Sequence, residues 1–139
     1  MKNNLILRIT AKLLIPFIIL FALYVQFHGD FGPGGGFQAG VIFSSAFILY
    51  TLVYGLETAQ QIIPLRILQI LASLGVLIYI GTGVVALLLG GEFLNYSVLA
   101  DAQITGQHIG ILVIELGVGI TVASVMIMIF FSFAGRGRQ

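Results

Sequence analysis

Three side chains that can carry a proton follow one another in the last third of the chain: Asp101, His108 and Glu115. Glu115 is the one ionisable group in a long apolar run, and a carboxyl group held away from water exchanges protons closer to neutral pH than one in water. His108 precedes it by seven residues, so a helix would carry both side chains on one face, about 10 Å apart. This spacing predicts a short path for protons or cations, with Asp101 and His108 at its mouth and Glu115 inside.

A second interpretation of Glu115 is structural. A protonated carboxyl group in a membrane helix can donate a hydrogen bond to a carbonyl or hydroxyl group of a neighbour and fix assembly without ever exchanging its proton. His108 alone is a weaker signal, because it lies near the predicted interface, where water is available. Ion handling and assembly therefore stay open as roles for Glu115.

The stretch from residue 28 to residue 40 contains a second group of unusual residues. Seven of its thirteen residues are glycine or proline, more than a turn between two helices needs. We expect this backbone either to pack into a neighbouring subunit or to line a polar path, with Phe37 at the start of the next helix and a hydrogen bond from His28 that shapes the loop; a flexible surface hairpin is the alternative. The candidate motif residues are His28, Asp30, Pro33, Gly34, Gly35, Gly36, Phe37 and Gly40.

The elements that position these residues are apolar helices. Of the 139 residues, 59% are hydrophobic and 8% are charged, too few charges to cover the surface of a soluble domain of this size. Runs long enough to cross a bilayer core of about 30 Å occur four times. We predict an all-α integral membrane protein, one domain over residues 1–139, with helices at about 5–27, 37–56, 65–91 and 108–134.

The basic residues predict an orientation. With four spans, the chain ends and the second loop share one side of the membrane, and every Lys and Arg falls there. The positive-inside rule therefore places both ends in the cytoplasm. Those residues are Lys2, Arg8, Lys12, Arg66, Arg136 and Arg138.

Small residues recur at helical spacing in two of the predicted spans. Gly36, Gly40 and Ser44 are four residues apart, and Gly75 and Gly83 are separated by twice that interval. Such stripes let membrane helices approach closely. They indicate helix partners, either within this chain or in another subunit.

The motif brings a resemblance to a known family. The motif consists of His28-Gly29, then Pro33-Gly34-Gly35-Gly36-Phe37, and then Gly40. It resembles the signature of the MnhB/MrpB family, whose members are small subunits of the multisubunit Na⁺/H⁺ antiporters of the Mrp (Mnh) type. The resemblance extends over the whole chain in length, in the number of spans and in the glycine-rich last helix. Many relatives carry a second histidine where this chain has Asp30, so a paired-histidine role does not transfer.

The resemblance implies a small multi-pass subunit of a prokaryotic cell membrane. It would belong to a complex that exchanges Na⁺ and H⁺ and in which larger membrane subunits carry most of the ion path. Two alternatives are a membrane subunit of a hydrogenase or complex-I-like ion pump and a stand-alone oligomeric channel. We expect no enzyme activity, cofactor or metal site. A net charge of +1 predicts no nucleic-acid partner.

Overall fold

A computed structural model describes residues 5–29, 34–100 and 102–136, and the regular elements within these ranges are helices. Four of the helices are long and apolar enough to cross a membrane, which confirms the predicted all-α membrane class. In chain order, the elements are α1 (Leu5–Phe27), α2 (Gly36–Tyr54), α3 (Leu56–Ile62), α4 (Leu65–Leu88), a 3₁₀ turn (Tyr96–Leu99) and α5 (Gln103–Arg136).

Glycines set two of the helix ends that differ from the predicted ones. The second span ends at Tyr54, two residues earlier than predicted, because Gly55 has φ +99° and breaks the helix. The third span ends at Leu88, three residues before the predicted end at residue 91. The chain turns just after this helix, at Gly90, which has φ +84°. A positive φ angle is accessible to glycine at little cost, so both ends follow from local backbone chemistry.

The last helix is longer than predicted at both ends. It begins at Gln103, five residues before the predicted start, and runs for 34 residues, or about 51 Å. A bilayer core needs only about 30 Å, so the polar first turns continue the helix beyond the apolar span. The 3₁₀ turn packs on them: a Cβ atom on Gly110 would overlap the Tyr96 ring, and Gln107 Nε2 donates to Ser97 Oγ at 2.9 Å.

The short helix α3 replaces a predicted loop. Its Ala59 is buried in a cluster with Leu68, Ile127 and Phe131, and Leu56 and Ile63 pack against the same cluster. A seven-residue helix is too short to be stable alone, so this tertiary contact keeps it folded. The cluster lies on the side of the bundle where the chain begins and ends, hereafter the chain-end side; the opposite side, where α1 connects to α2, is the corner side.

The spanning helices form a row in which α5 lies between α2 and α4, and α1 packs on the other side of α2. Glycines on opposite faces of α5 explain the order. A Cβ atom on Gly119 would meet Gln26 and the carbonyl oxygen of Gly36, whereas one on Gly117 would lie 2.8 Å from the carbonyl oxygen of Gly75. Of the predicted small-residue stripes, Gly36, Gly40 and Gly75 therefore pack against α5 of this chain, whereas Gly83 packs against the ring of Phe93 in the following loop.

The crossing of α4 and α5 at Gly75 gives a first prediction. A Cβ atom at Gly75 would lie 2.5 Å from the Gly117 carbonyl oxygen. The Gly75→Ala variant should therefore lose about 1–3 kcal/mol of stability. We expect the temperature at which the detergent-solubilised chain leaves its monodisperse chromatographic peak to fall by about 5 °C or more.

A matched control for this variant lies in the same helix. Among the described residues, no atom outside the local backbone of α4 lies within 4 Å of the Cβ position of Gly81. The Gly81→Ala change should leave the thermal transition unaltered or raise it slightly, because alanine favours the helix. Equal behaviour of the two variants would contradict the close α4–α5 contact.

Candidate functional site

The glycine-rich connection between α1 and α2 packs against Glu115 of α5. We use the name glycine corner for its described glycines, Gly29, Gly34, Gly35 and Gly36. A Cβ atom added to Gly29 would lie 2.8 Å from Glu115 Oε1 and 2.9 Å from Oε2. The carboxyl group therefore reaches the corner backbone itself, and a side chain at Gly29 would require the Glu115 carboxyl group to move.

The start of α2 contacts the same glutamate. Gly35 has φ +142°, a conformation that favours glycine, and its Cβ position lies 3.2 Å from Glu115 Oε1 and 3.4 Å from Gln38 Oε1. A Cβ atom on Gly36 would overlap the backbone carbonyl oxygen of Glu115. The contact at Gly35 involves a side chain that can move, but the contact at Gly36 involves backbone that cannot.

The close contact continues one turn deeper into the membrane. A Cβ atom on Gly40 would lie 2.7 Å from the carbonyl oxygen of Gly119, and one on Gly119 would lie 2.6 Å from Gln26 Oε1. Gln26 is 8% exposed, and its Nε2 has no hydrogen-bond partner among the described residues. Three helices thus meet around a small polar core that has Glu115 at its corner-side end.

This geometry suits either of the two predicted roles. The Glu115 side chain is partly buried and lies against the backbone of the corner. Backbone amide and carbonyl groups can exchange hydrogen bonds with either protonation state of a carboxyl group. A proton or a monovalent cation that reached this point would meet the oxygen atoms of the Glu115 carboxyl group beside the corner backbone.

His28 contacts Tyr24, one turn earlier in the chain. Its ring stacks on Tyr24 with a centroid distance of 4.2 Å, and Nδ1 lies 3.2 Å from the Tyr24 carbonyl oxygen. The backbone amide of His28 donates to the same oxygen at 3.1 Å. His28 therefore caps the end of α1, which positions the first residue of the corner. Phe37, in the first turn of α2, is 62% exposed and available to lipid or to another subunit.

The proposed mouth of the path is only partly described. His108 lies on α5, exposed, in one of the polar turns beyond the apolar span, and its spacing places it on the same helix face as Glu115. Asp101, Asp30 and Pro33 lie outside the described residues. The link between His108 and Glu115 thus rests on helical register and stays a prediction.

The loop before α5 is held against its own chain. Gly106 and Gly110 pack beneath the 3₁₀ turn, and Asn95 Oδ1 accepts a hydrogen bond from the amide of Ser97. Burial raises the pKa of the Tyr96 phenol, and the nearby Tyr79 raises it further, so this phenol stays neutral at physiological pH. The loop therefore packs against the first turns of α5 and holds them in place.

Sequence reasoning missed three contributors to this site: Gln26, Gln38 and Gly119. Gln26 offered a weak signal, because it is a neutral polar side chain in the last turn of an otherwise apolar helix. Gln38 and Gly119 offered none, since one follows a glycine run and the other is one of several glycines in its helix. Their role depends on the pairing of α2 with α5.

Comparisons with known proteins agree with this architecture. The family model described as "Domain related to MnhB subunit of Na+/H+ antiporter" matches residues 6–128. Proteins named "Putative antiporter subunit mnhB2" from Staphylococcus aureus strains Newman, JH1 and Mu3 are 36% identical to this chain over 141 residues, covering 99% of each chain. The match includes the glycine corner, Gln26 and Glu115 within one continuous family domain. The chain therefore belongs to the family of domains related to the MnhB subunit of Na⁺/H⁺ antiporters.

Proposed function

We propose that this chain is a membrane subunit of a multisubunit Na⁺/H⁺ antiporter and that its glycine corner, seated on Glu115, is the functional centre of the subunit. Family membership supports the first part, and bacterial relatives together with four apolar helices indicate a multi-pass protein of a prokaryotic cell membrane. The contact between Gly29 and the Glu115 carboxyl group supports the second. The chain acts in transport and not as an enzyme on its own.

The first task of the site is assembly. Gly36 and Gly40 bring α2 so close to α5 that backbone meets backbone, and this contact fixes how α1 and α2 are presented. Exposed apolar side chains then remain along α1, and Phe37 projects beside the corner. In a membrane, surfaces of defined shape are what other helices recognise, because lipid tails are as apolar as leucine. The partners are other membrane subunits of the same complex.

The second task concerns the transported ions. Glu115 supplies a carboxyl group inside the apolar span, with His108 two turns away towards the polar end of α5. We propose that Na⁺ or H⁺ passes this group on its way through the complex, with Asp101 and His108 at the entrance. In this proposal both chain ends face the cytoplasm, and the location of every lysine and arginine supports that orientation.

Purification from the native membrane tests the proposed function. A tag at the carboxyl end of the chain should recover a complex with several larger membrane subunits, and vesicles from a strain without this chain should lose Na⁺-driven proton exchange. Restoring the chain should restore the exchange. Recovery of the chain alone, or with iron–sulfur and hydrogenase subunits, would contradict the antiporter assignment and favour a channel or a redox complex.

A further inference from the structure

A cavity lies beside α5, between α1 and α4, and α2 also lines it through Ala39, Gly40 and Phe43. Its volume is about 280 Å³, and its lining is almost entirely apolar. Helix α1 forms one wall through Ala22 and Leu23, and α4 forms the other through Leu68 and Leu71. Because α1 and α4 both line this cavity but, among the described residues, form no interface with each other, the cavity is a groove that opens between them towards the membrane.

The groove has the length of one lipid leaflet. It follows α5 from Leu116 to Ile127, a rise of about 16 Å, and half of a bilayer core is about 15 Å. A helix segment of that length would occupy roughly 1,200 Å³, more than the roughly 800 Å³ of empty space that the groove holds, its open mouth included. The groove therefore fits a single hydrocarbon chain and is too narrow for a partner helix.

Two basic residues lie on the same face of α1 as the groove wall. Arg8 precedes Gln26 by eighteen residues, five full helical turns, and Lys12 precedes Leu23 by eleven, about three turns. Both are exposed on the chain-end side, and the Arg8 guanidinium lies 5.3 Å from the centre of the Tyr54 ring. Positive charge therefore lies in line with the groove, at the chain-end side of α1.

We propose that this groove binds one acyl chain of an anionic phospholipid, whose phosphate group is held by Lys12 and Arg8. The apolar lining alone gives no preference for one lipid over another, since it is no more apolar than the bilayer itself. Selectivity comes from the two bases, each of which attracts an anionic headgroup. The acyl chain runs along α5 towards Gln26 and fills the space between α1 and α4.

Photo-crosslinking tests this site directly. The tagged chain, with the subunits that co-purify with it, is placed in phosphatidylcholine vesicles that contain a small fraction of phosphatidylglycerol carrying a diazirine in its acyl chain. The same lipid with a choline headgroup serves as the neutral probe. We expect adducts on the groove walls, in residues 22–26 and 116–127, with the anionic probe favoured about tenfold.

Three variants connect the adducts to the groove. The double change Arg8→Gln and Lys12→Gln should bring the ratio of anionic to neutral adducts close to one. Arg66→Gln is the matched control, because Arg66 precedes Gly75 by nine residues and so lies on the face of α4 opposite the α5 contact. Ala123→Phe, within the groove, should lower the adducts of both probes.

Two results would overturn the proposal. One is an unchanged ratio of the two adducts after the double substitution, provided that adducts still form on the groove walls. The other is an intact complex without adducts on these walls, which would mean that protein covers the groove. Neither result depends on ion exchange, so failure of this proposal is distinguishable from failure of the antiporter assignment.

Discussion

Replacing Gly36 with alanine should lower the amount of assembled complex recovered from the membrane by about tenfold. The added methyl group would overlap the backbone carbonyl oxygen of Glu115, and two helix backbones can avoid this overlap only by moving apart. Overpacking of this kind typically costs about 1–3 kcal/mol, and 1.4 kcal/mol changes an equilibrium tenfold. Gel filtration of the solubilised complex, with quantification of each subunit, measures the effect.

A graded series makes this prediction specific to the corner. Gly29→Ala should have a smaller effect, because its methyl group would meet the carboxyl end of Glu115, which a side-chain rotation can move. Gly81→Ala should assemble normally, because its Cβ position is free of contacts with other elements in the described part of the chain. Similar yields for Gly36→Ala and Gly81→Ala would show that the corner does not depend on this contact.

The sequence was sufficient to predict the four spans because their signal is local. A long run without charges has few alternatives in a bilayer, so the spans from Leu5 and from Leu65 begin where composition predicts. Helix α3 was missed for the opposite reason. Seven residues carry too little periodicity to be recognised, and Ala59 is buried only because Leu68, Ile127 and Phe131 come from elsewhere to cover it.

In the candidate site, too, the local features could be predicted from the sequence and the tertiary contacts could not. Glu115 stands out in the sequence because it is charged in an apolar run, and the glycine corner stands out by composition. Their contact could not be predicted, because it requires α2 to cross α5 at Gly36 and Gly119, and nothing local determines which glycines meet. The sequence interpretation linked Glu115 to His108 through helical spacing. The three-dimensional fold adds the corner backbone as a second neighbour.

The two roles of Glu115 predict different outcomes when its charge and its shape are changed separately. Glu115→Gln keeps the length of the side chain and retains a hydrogen-bond donor and acceptor, but it can no longer release a proton. We expect this variant to assemble at close to the normal yield and to lose about a hundredfold or more of the exchange rate, the scale of a lost proton-transfer group. Fluorescence quenching by a pH-sensitive dye in everted vesicles, after addition of Na⁺, measures that rate.

Glu115→Ala completes this test, because it also removes the side-chain contact with Gly29 and Gly35. If Glu115 only packs, Glu115→Ala should reduce the yield of the complex. Glu115→Gln should then leave both the exchange rate and its pH dependence unchanged. That pair of results would refute the ion-path role. Glu92→Gln is the matched control, since Glu92 is exposed on the corner side. Loss of exchange with glutamine at residue 115 but not at residue 92 would mean that ions pass the glutamate on which the corner rests, so that one carboxyl group serves both assembly and transport.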